Sequence, residues 1–562
     1  MTNIRIFGAL ATAVATTVGA IASPASAQIS IERVDVDAAG KESSLGGYAS
    51  GISPNGRYVC FFSWSGELVP GDTNADADVF VKDRTTGLIE RVSISTSGEQ
   101  GDDQSAVGKV SVDGNLVVFQ SSAKNFFAGD SNDRVDVFLR DRFAGVTECI
   151  SVDSAGVQGN AGSYEPAMTR DGRLVVFTSD ADNLVQNDGN GMPDVFIRDR
   201  VFGRTSRVSV PDGGSGSGNG ESEGPSISDD GRYVAFSSVA DNLVDGDTNG
   251  HWDVFVHDRN TDATIRVSVD SSGVEGDSDS LGATISANGR VVAFSSYATN
   301  LVGDDTNDDV DVFVHDLTTG FTKRVSVDSA GRQVGSDCYF GSISGDGRII
   351  AFTSASDDLV EDDTNGRIDV FVRDRDLGMT ERVSLRADGG EADEFSEVPL
   401  LSRDGQTIAF NSFASNLVDG DTNGYKDAFV VERCAIDAAW SNYGDGFPGT
   451  FGVPALTSSS LPVLGTSVTV DLANSCGQWT FALLFEGFER ASIHSSLGGD
   501  LLLVPSMITV VGLPPWGATY SADLPTNGVF CGVTIDVQAI ESDPGAVKGA
   551  SFTEGLELLL GH

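Results

Sequence analysis

Residues 221–269 read ESEGPSISDDGRYVAFSSVADNLVDGDTNGHWDVFVHDRNTDATIRVSV. Two apolar runs, Tyr233-Val-Ala-Phe-Ser-Ser238 and Asp253-Val-Phe-Val-His-Asp258, stand between turn signals, and Ile265-Arg-Val-Ser-Val269 closes the unit. The same pattern recurs along the chain. Its turn glycines are Gly56, Gly114, Gly172, Gly231, Gly289, Gly347 and Gly405, spaced 58, 58, 59, 58, 58 and 58 residues apart. A period that regular marks one supersecondary unit copied in series.

Each copy reads as four short strands. In repeat five the first is Gly282 to Ser286 and the second Arg290 to Ser295, joined across Asn288-Gly289. Asn-Gly and Asp-Gly tolerate positive φ and turn a hairpin. After a loop of about fifteen residues, longer than an ordinary hairpin connection, come Asp311 to Asp316 and Thr322 to Val327. The middle strands carry continuous apolar runs, which suits sheets covered on both faces.

The ends of the array predict closure. Repeat seven has Thr407 to Asn411 and Asp427 to Val431, then loses the pattern at Cys434 without a fourth strand. The missing strand stands at the other end, where Ile31-Glu-Arg-Val-Asp-Val36 matches Ile265 to Val269. A strand borrowed across the array makes sense in a ring, which removes exposed sheet edges. The expected fold is all-β: a seven-bladed β-propeller over residues 28–433, closed by its N-terminal strand, with a small C-terminal β-sandwich over 434–562. The segments Ser228-Asp-Asp-Gly-Arg-Tyr-Val-Ala-Phe236 and Ser344 to Phe352, each followed by D-V-F-V-x-D, resemble the TolB-like propeller repeats, which are WD40-like in plan. The resemblance covers about 400 residues and implies the scaffold alone, because TolB itself has six blades.

Residues 1–27 read as a signal peptide. Arg5 precedes an apolar run from Ile6 to Ala22, and Ala25-Ser26-Ala27 is a cleavage motif, so an exported bacterial protein is expected. Thirty-six basic and 82 acidic residues give a formal charge of −46, and loss of Arg5 with the leader makes it −47. Such a charge argues against nucleic acid or an anionic membrane as partner. No later stretch is apolar enough to span a bilayer. Of six cysteines, Cys60 replaces the alanine seen at Ala235 and reads as a small core residue. Cys476 and Cys531 could bridge two strands of the C-terminal region, Cys434 has no evident partner, and the sequence leaves the connectivity open.

The loop between the second and third strands carries the best chemical signal. Repeat four has Asp245, Asp247, Asn249 and Asp253; repeat seven has Asp419, Asp421, Asn423 and Asp427. Repeat six has Glu361, Asp363, Asn365 and Asp369; repeat one has Asp72, Asn74, Asp76 and Asp78; repeat five has Asp305, Asn307, Asp309 and Asp311. Repeat two offers Asp130, Asn132 and Asp136, and repeat three Asp188, Asn190 and Asp194. Alternating oxygens in a tight loop are the chemistry of Ca²⁺, and the pattern resembles the first nine positions of an EF-hand loop. The bidentate Glu is absent, with Val256 and Val430 in its place, so weak binding of about 10⁻⁴–10⁻³ M is expected. The alternative is that Asp and Asn form Asx turns and the last Asp opens the third strand. That alternative explains the extra acids less well, because packed like charges need a cation.

No G-x-S-x-G elbow, H-E-x-x-H or P-loop is present. His257 and His315 share a third-strand slot with Lys82, Arg140, Arg198 and Arg373, which reads as a surface slot. Beyond Cys434, Gly- and Pro-rich sequence leads into further strand-like runs at Ser467–Asp471, Trp479–Phe485, Leu501–Val504, Val533–Gln538 and Leu556–Leu560. Tyr443-Gly-Asp-Gly-Phe-Pro-Gly-Thr450 resembles the opening of a C-terminal domain of secreted planctomycete-type proteins. The functional expectation is a monomeric, non-enzymatic binding protein. A calcium-stiffened, acidic loop face would meet a protein or polysaccharide. The alternatives are a polysaccharide hydrolase or lyase, which carboxylates and aromatics in the central channel would favour, and a structural envelope component.

Overall fold

The computed structural model describes residues 30–561 apart from 215, 362, 434–438, 464–465, 489, 498 and 525–532. The expected leader, Cys434 and Cys531 lie outside the described residues. The chain divides into two compact units, meeting in sequence between Glu432 and Arg433.

In the first unit, seven four-stranded antiparallel sheets follow one another. Sheet four is representative: Ser222–Ile227, Tyr233–Ser238, Asp253–Asp258 and Ala263–Arg266 lie in that order. Sheet seven joins Ser396–Leu401, Thr407–Ser412 and Asp427–Glu432 to Ile31–Arg33 from the start of the chain. Ile31 pairs with Val431 and Arg33 with Phe429, as the sequence ends predict. The first strands of successive sheets touch in a closed cycle, the last of them, Ser396–Leu401, meeting Tyr48–Ile52 of sheet one. This arrangement is that of a β-propeller with the first strands innermost.

The core lies between sheets. Phe236 and Phe255 stack at 5.9 Å within sheet four, and both are fully buried. They share one cluster with Val176, Val195, Ile197 and Val208 of sheet three. Gly231 shows why the turn is glycine: φ is +69°, and a Cβ would lie 2.2 Å from the Leu174 side chain of the preceding sheet. The seam between sheets seven and one is packed the same way, with Val34, Val59, Phe61, Ala409 and Val430 in one cluster. Asn411 Oδ1 accepts the Ala49 amide across that seam at 2.7 Å.

Two sequence expectations need correction. The fourth strand is shorter than expected, ending at Arg324 rather than Val327 in repeat five. Beyond it one backbone bond persists, from the Val325 amide to Val312 O at 2.8 Å, and the Ser326 hydroxyl then takes over, accepting the Val312 amide at 3.0 Å. The His257/His315 slot is buried, not on the surface: these residues are 4% and 6% exposed, and Lys82 and Arg140 7% and 6%. The neighbouring sheet covers the slot, and its long cations reach that sheet's backbone. Lys82 Nζ donates to Arg33 O at 3.3 Å and Arg198 Nη1 to Asp153 O at 2.9 Å. His257 and His315 instead bond Thr264 and Thr322 at 3.0 and 2.9 Å, and burial lowers both imidazole pKa values. Cys60 is a fully buried core residue as expected, its thiol pushed up to about 12 by burial. Cys476 is a free thiol.

In the second unit a six-stranded sheet carries Ala439–Tyr443, Gly555–Leu559, Thr534–Ser542, Thr480–Gly487 and Met507–Leu513 in that order, with Ala550–Phe552 beside Thr534–Ser542. A three-stranded sheet holds Leu456–Ser458, Ser467–Leu472 and Ala518–Asp523. Val468, Val470 and Leu472 of the smaller sheet share one buried cluster with Leu484, Val511, Val537 and Leu556 of the larger. Among the described residues, no helix of either unit is long and apolar enough to cross a membrane.

Candidate functional site

The acidic loops are organised around an arginine that lies outside them, on the fourth strand. At the end of the fourth strand, Arg266 pairs in register with Phe255, which points its guanidinium back at the loop of its own sheet. Its Nη1 lies 3.1 Å from Asp247 Oδ1, 3.1 Å from Asp253 Oδ2 and 2.8 Å from Glu275 Oε2. Asp253 is fully buried, and its other oxygen accepts the Ser268 hydroxyl at 2.5 Å. Asn249 closes the loop by donating to Asp253 at 3.0 Å and to the Gly276 carbonyl at 3.0 Å.

The same clasp recurs with small changes. Arg91 holds Asp72 and Asp78, each at 3.2 Å. Arg207 holds Asp188 and Asp194 at 2.9 and 3.3 Å. Arg324 holds Asp305 and Asp311 at 3.5 and 3.3 Å. Arg382 holds Asp363 and Asp369 at 2.7 and 3.4 Å, with Glu391 at 3.0 Å. Arg33, on the borrowed strand, holds Asp421 and Asp427 at 3.3 and 3.5 Å and Glu42 at 3.0 Å. In sheet two the arginine is replaced by Cys149, which occupies the same register opposite Phe138. There the Gln158 amide spans Asp130 and Asp136 at 2.8 and 2.7 Å.

Burial pushes the inward carboxyls up. Asp247, Asp363 and Asp78 rise to about 6, with the arginine pulling the other way. Asp136, which has no arginine, also rises to about 6.

The predicted ligand sets are therefore divided. Asp247, Asp421, Asp363, Asp72 and Asp305 turn inward onto arginine together with Asp253, Asp427, Asp369, Asp78 and Asp311. Asn249, Asn423, Asn365, Asn74 and Asn307 each bond a backbone carbonyl of the connection that follows or closes the sheet. Asp245, Asp419 and Glu361 are exposed, and Asp76 and Asp309 half-buried. Among the described residues no group of three or more Asp, Glu, His or Cys side chains is disposed to hold a metal ion. The guanidinium stands where a calcium ion would meet the two inward carboxylates.

A second constellation, missed by sequence reasoning, lies at the loop end of the innermost strands. Every first strand breaks register there: Glu223 pairs with Ser237, then Ser226 with Ala235. The bulge holds Val107, Glu165 and Val398 at φ of 51°, 55° and 55°. A left-handed φ is costly for a β-branched residue, and bulges redirect side chains. Around this rim Tyr48 stacks on Phe62 at 5.1 Å, and Trp64 meets both edge-on at 5.8 and 5.6 Å. Lys426 lies over the Tyr48 and Phe413 rings at 5.2 and 4.9 Å and pairs with Glu397. Farther round, the Tyr339 hydroxyl donates to Asp337 at 3.2 Å and that of Tyr164 to Asp180 at 2.8 Å. Trp64, Tyr297 and Tyr339 are 39%, 48% and 47% exposed. Glu165 accepts the Gly224 amide of the next first strand at 2.9 Å. Burial, and then the charge of Glu165, raises the pKa of nearby Glu223.

No family model matches the chain, and no curated protein matches its sequence. Similar solved structures include a putative TolB from Agrobacterium tumefaciens, at 17% identity over 50% of this chain and 80% of that one, with a TM-score of 0.32. A prolyl endopeptidase structure is 11% identical over 87% of this chain and 62% of that one, TM-score 0.42. The U3-55K structure is 9% identical over 73% of this chain and all of that one, TM-score 0.35. These likenesses are too distant to assign a function, and the fold rests on the chain's own sheets.

Proposed function

We propose that this chain is an exported binding protein built on a seven-bladed propeller that its N-terminal strand closes, and that it takes a polysaccharide at the inner rim of the loop face. The observation that carries this reading is the rim, where exposed Trp64, Tyr297 and Tyr339 stand among Glu397, Asp337, Asp180 and Glu223. Aromatic faces offer flat apolar area, and carboxylates accept strong hydrogen bonds from hydroxyl groups. A chain of charge −46 repels polyanions, so the favoured polymer is neutral or basic. Arginine, rather than calcium, supplies the cation that stiffens the loops behind the rim. Isothermal titration with a panel of neutral, basic and uronic-acid oligosaccharides tests the reading. Binding of a neutral or basic member, weakened at least about tenfold by Trp64→Ala, supports it. No binding across the panel rejects it.

The hydrolase reading is favoured by one specific observation. Glu165 and Glu223 are neighbouring carboxylates on adjacent first strands, one with its pKa raised by burial and by the other. Two neighbouring carboxyls on facing strands are the pattern of acid–base pairs in glycoside hydrolysis. Release of reducing ends from a bound polymer, lost in Glu223→Gln, would establish it.

A further inference from the structure

We propose that a cleft between sheets three and four of the first unit binds a small oxyanion, phosphate or sulfate, between Arg204 and Arg259. The cleft has a volume of about 260 Å³, and its lining includes Arg173, Asp199, Phe202, Arg204, Ser206 and Arg259. It lies at the turn end of the sheets, away from the acidic loops: Asp199 closes the third strand of sheet three and Arg204 opens the fourth. Comparison of the repeats shows why it is cationic. An arginine follows the third strand in sheets one to four, at Arg84, Arg142, Arg200 and Arg259. In each case Nη1 donates to the carbonyl of the turn glycine of the same sheet, Gly56, Gly114, Gly172 or Gly231, so the four guanidiniums are held alike. The first three also meet a glutamate on the fourth strand of the preceding sheet, sheet seven preceding sheet one. Arg84 meets Glu32, Arg142 meets Glu90 at 2.7 Å, and Arg200 meets Glu148. Before Arg259 that register holds Ser206, which stands opposite Ile197 as Glu148 stands opposite Leu139.

Arg259 therefore keeps its backbone anchor but, among the described residues, has no carboxylate in ion-pair contact. The Arg204 guanidinium makes no hydrogen bond or ion pair among them either. Arg173 is paired with Asp199 at 2.7 Å and lies over the exposed Phe202 ring at 5.0 Å. The cleft thus holds three guanidiniums and one carboxylate. Burial lowers the pKa of Arg259; Asp199 opposes this, and Arg173 and Arg204 add to it. An oxyanion would supply the charge and the acceptor oxygens that Glu32, Glu90 and Glu148 supply elsewhere, and the guanidinium fork suits bidentate contact with it. Sheet six has a similar arginine, Arg375, with Lys323 of sheet five in the glutamate register. There Asp316, Asp376 and Asp346 offset its charge, and Phe321 stands where sheet three has Arg204. The net charge of −46 does not close the site to a small ion. Screening over about 8 Å at physiological ionic strength leaves such an ion to the charges of the cleft itself, whereas a long polyanion meets the whole surface.

The test is isothermal titration of the full chain with inorganic phosphate, and separately with sulfate, at an ionic strength of about 0.15 M held constant with chloride. Saturable binding of at least one of the two anions is expected, with a dissociation constant of about a millimolar or below. Ser206→Glu places the missing carboxylate before Arg259, as in sheets one to three. It is expected to weaken binding at least about tenfold with an unchanged far-UV spectrum. Arg204→Ser, at an exposed position whose side chain holds no partner, is expected to weaken it likewise without disturbing the fold. Arg386→Ser, an exposed arginine elsewhere in the same unit, is the control and leaves binding unchanged. Absence of saturable binding of either anion, or binding that survives both cleft substitutions, would overturn the proposal. An equal loss in Arg386→Ser would also overturn it, by showing a general response to charge rather than a site.

Discussion

Sheets four and seven follow one plan and differ in the buried residue that meets the aspartate opening the third strand. In sheet four Ser268 accepts the Val254 amide at 3.0 Å and donates its hydroxyl to Asp253 at 2.5 Å. In sheet seven Asp35 stands in that place and accepts the Ala428 amide at 3.1 Å. An ionised carboxylate has no proton to give Asp427. Burial together with Asp35 pushes Asp427 up to about 8, and burial raises Asp35 as well. Asp35 Oδ2 is buried without a hydrogen-bond partner. Asp421, on the same guanidinium, rises to about 7. The six sheets formed from contiguous chain satisfy their buried acid with a hydroxyl. The sheet closed by a strand from the far end of the array holds a carboxyl pair that needs a shared proton.

The sharpest way to break this comparison is to remove the arginine from a regular sheet. Arg266→Met leaves Asp247, Asp253 and Glu275 facing one another without their cation and is expected to cost about 3–5 kcal/mol, read by denaturant unfolding. In sheet two, which lacks the arginine, Cys149→Ala is expected to cost no more than about 1 kcal/mol. Equal costs would show that the clasp is incidental.

The closing sheet responds to pH. Asp427 has a folded pKa raised above its ordinary value of 3.8, so the folded state binds the extra proton. The stability this contributes is fully present below pH 4 and is lost as pH rises through about 8. Asp35→Ser restores the hydroxyl of the other sheets. It is expected to stabilise the protein by about 1–3 kcal/mol near pH 8 and by much less near pH 4, as thermal midpoints across that range would show. A gain independent of pH would sink the shared-proton account.

The smallest expected effect separates arginine from calcium. With guanidinium groups already between the inward carboxylates, EDTA or calcium at tens of millimolar should leave the wild-type midpoint within about 1 °C beyond the shift given by magnesium. A calcium-specific rise, which bound ligand would produce by mass action, would return the loops to the metal-binding reading.

Much of the scaffold was legible because its signals are local. Alternating turn glycines and apolar runs name the strands, and the orphan fourth strand at Ile31 predicted that it would complete the last sheet, where it pairs with Val431. In the second unit the runs at Ser467 and Trp479 became strands, whereas Met507–Leu513, with its exposed alternate residues, was not recognised. The clasp left a trace that was not read. Arginine recurs in the R-V-S/D segment at Arg33, Arg91, Arg207, Arg266, Arg324 and Arg382, and fails at Cys149 in repeat two. The buried cationic slot misled because a long side chain that accepts Lys, Arg or His looks solvent-facing until a neighbouring sheet is laid over it.

The sequence by itself determined the repeat, the strand order and which strand is missing at the end of the array, because backbone preference and apolar periodicity act over a few residues. Tertiary structure alone decided which charges meet. Arg266 reaches acids that precede it by 13 and 19 residues only because antiparallel pairing sets it opposite Phe255. The aromatic rim likewise draws Trp64, Tyr297, Tyr339 and Lys426 from four different repeats, and no local pattern encodes a neighbourhood that forms when the first strands come together in a cycle.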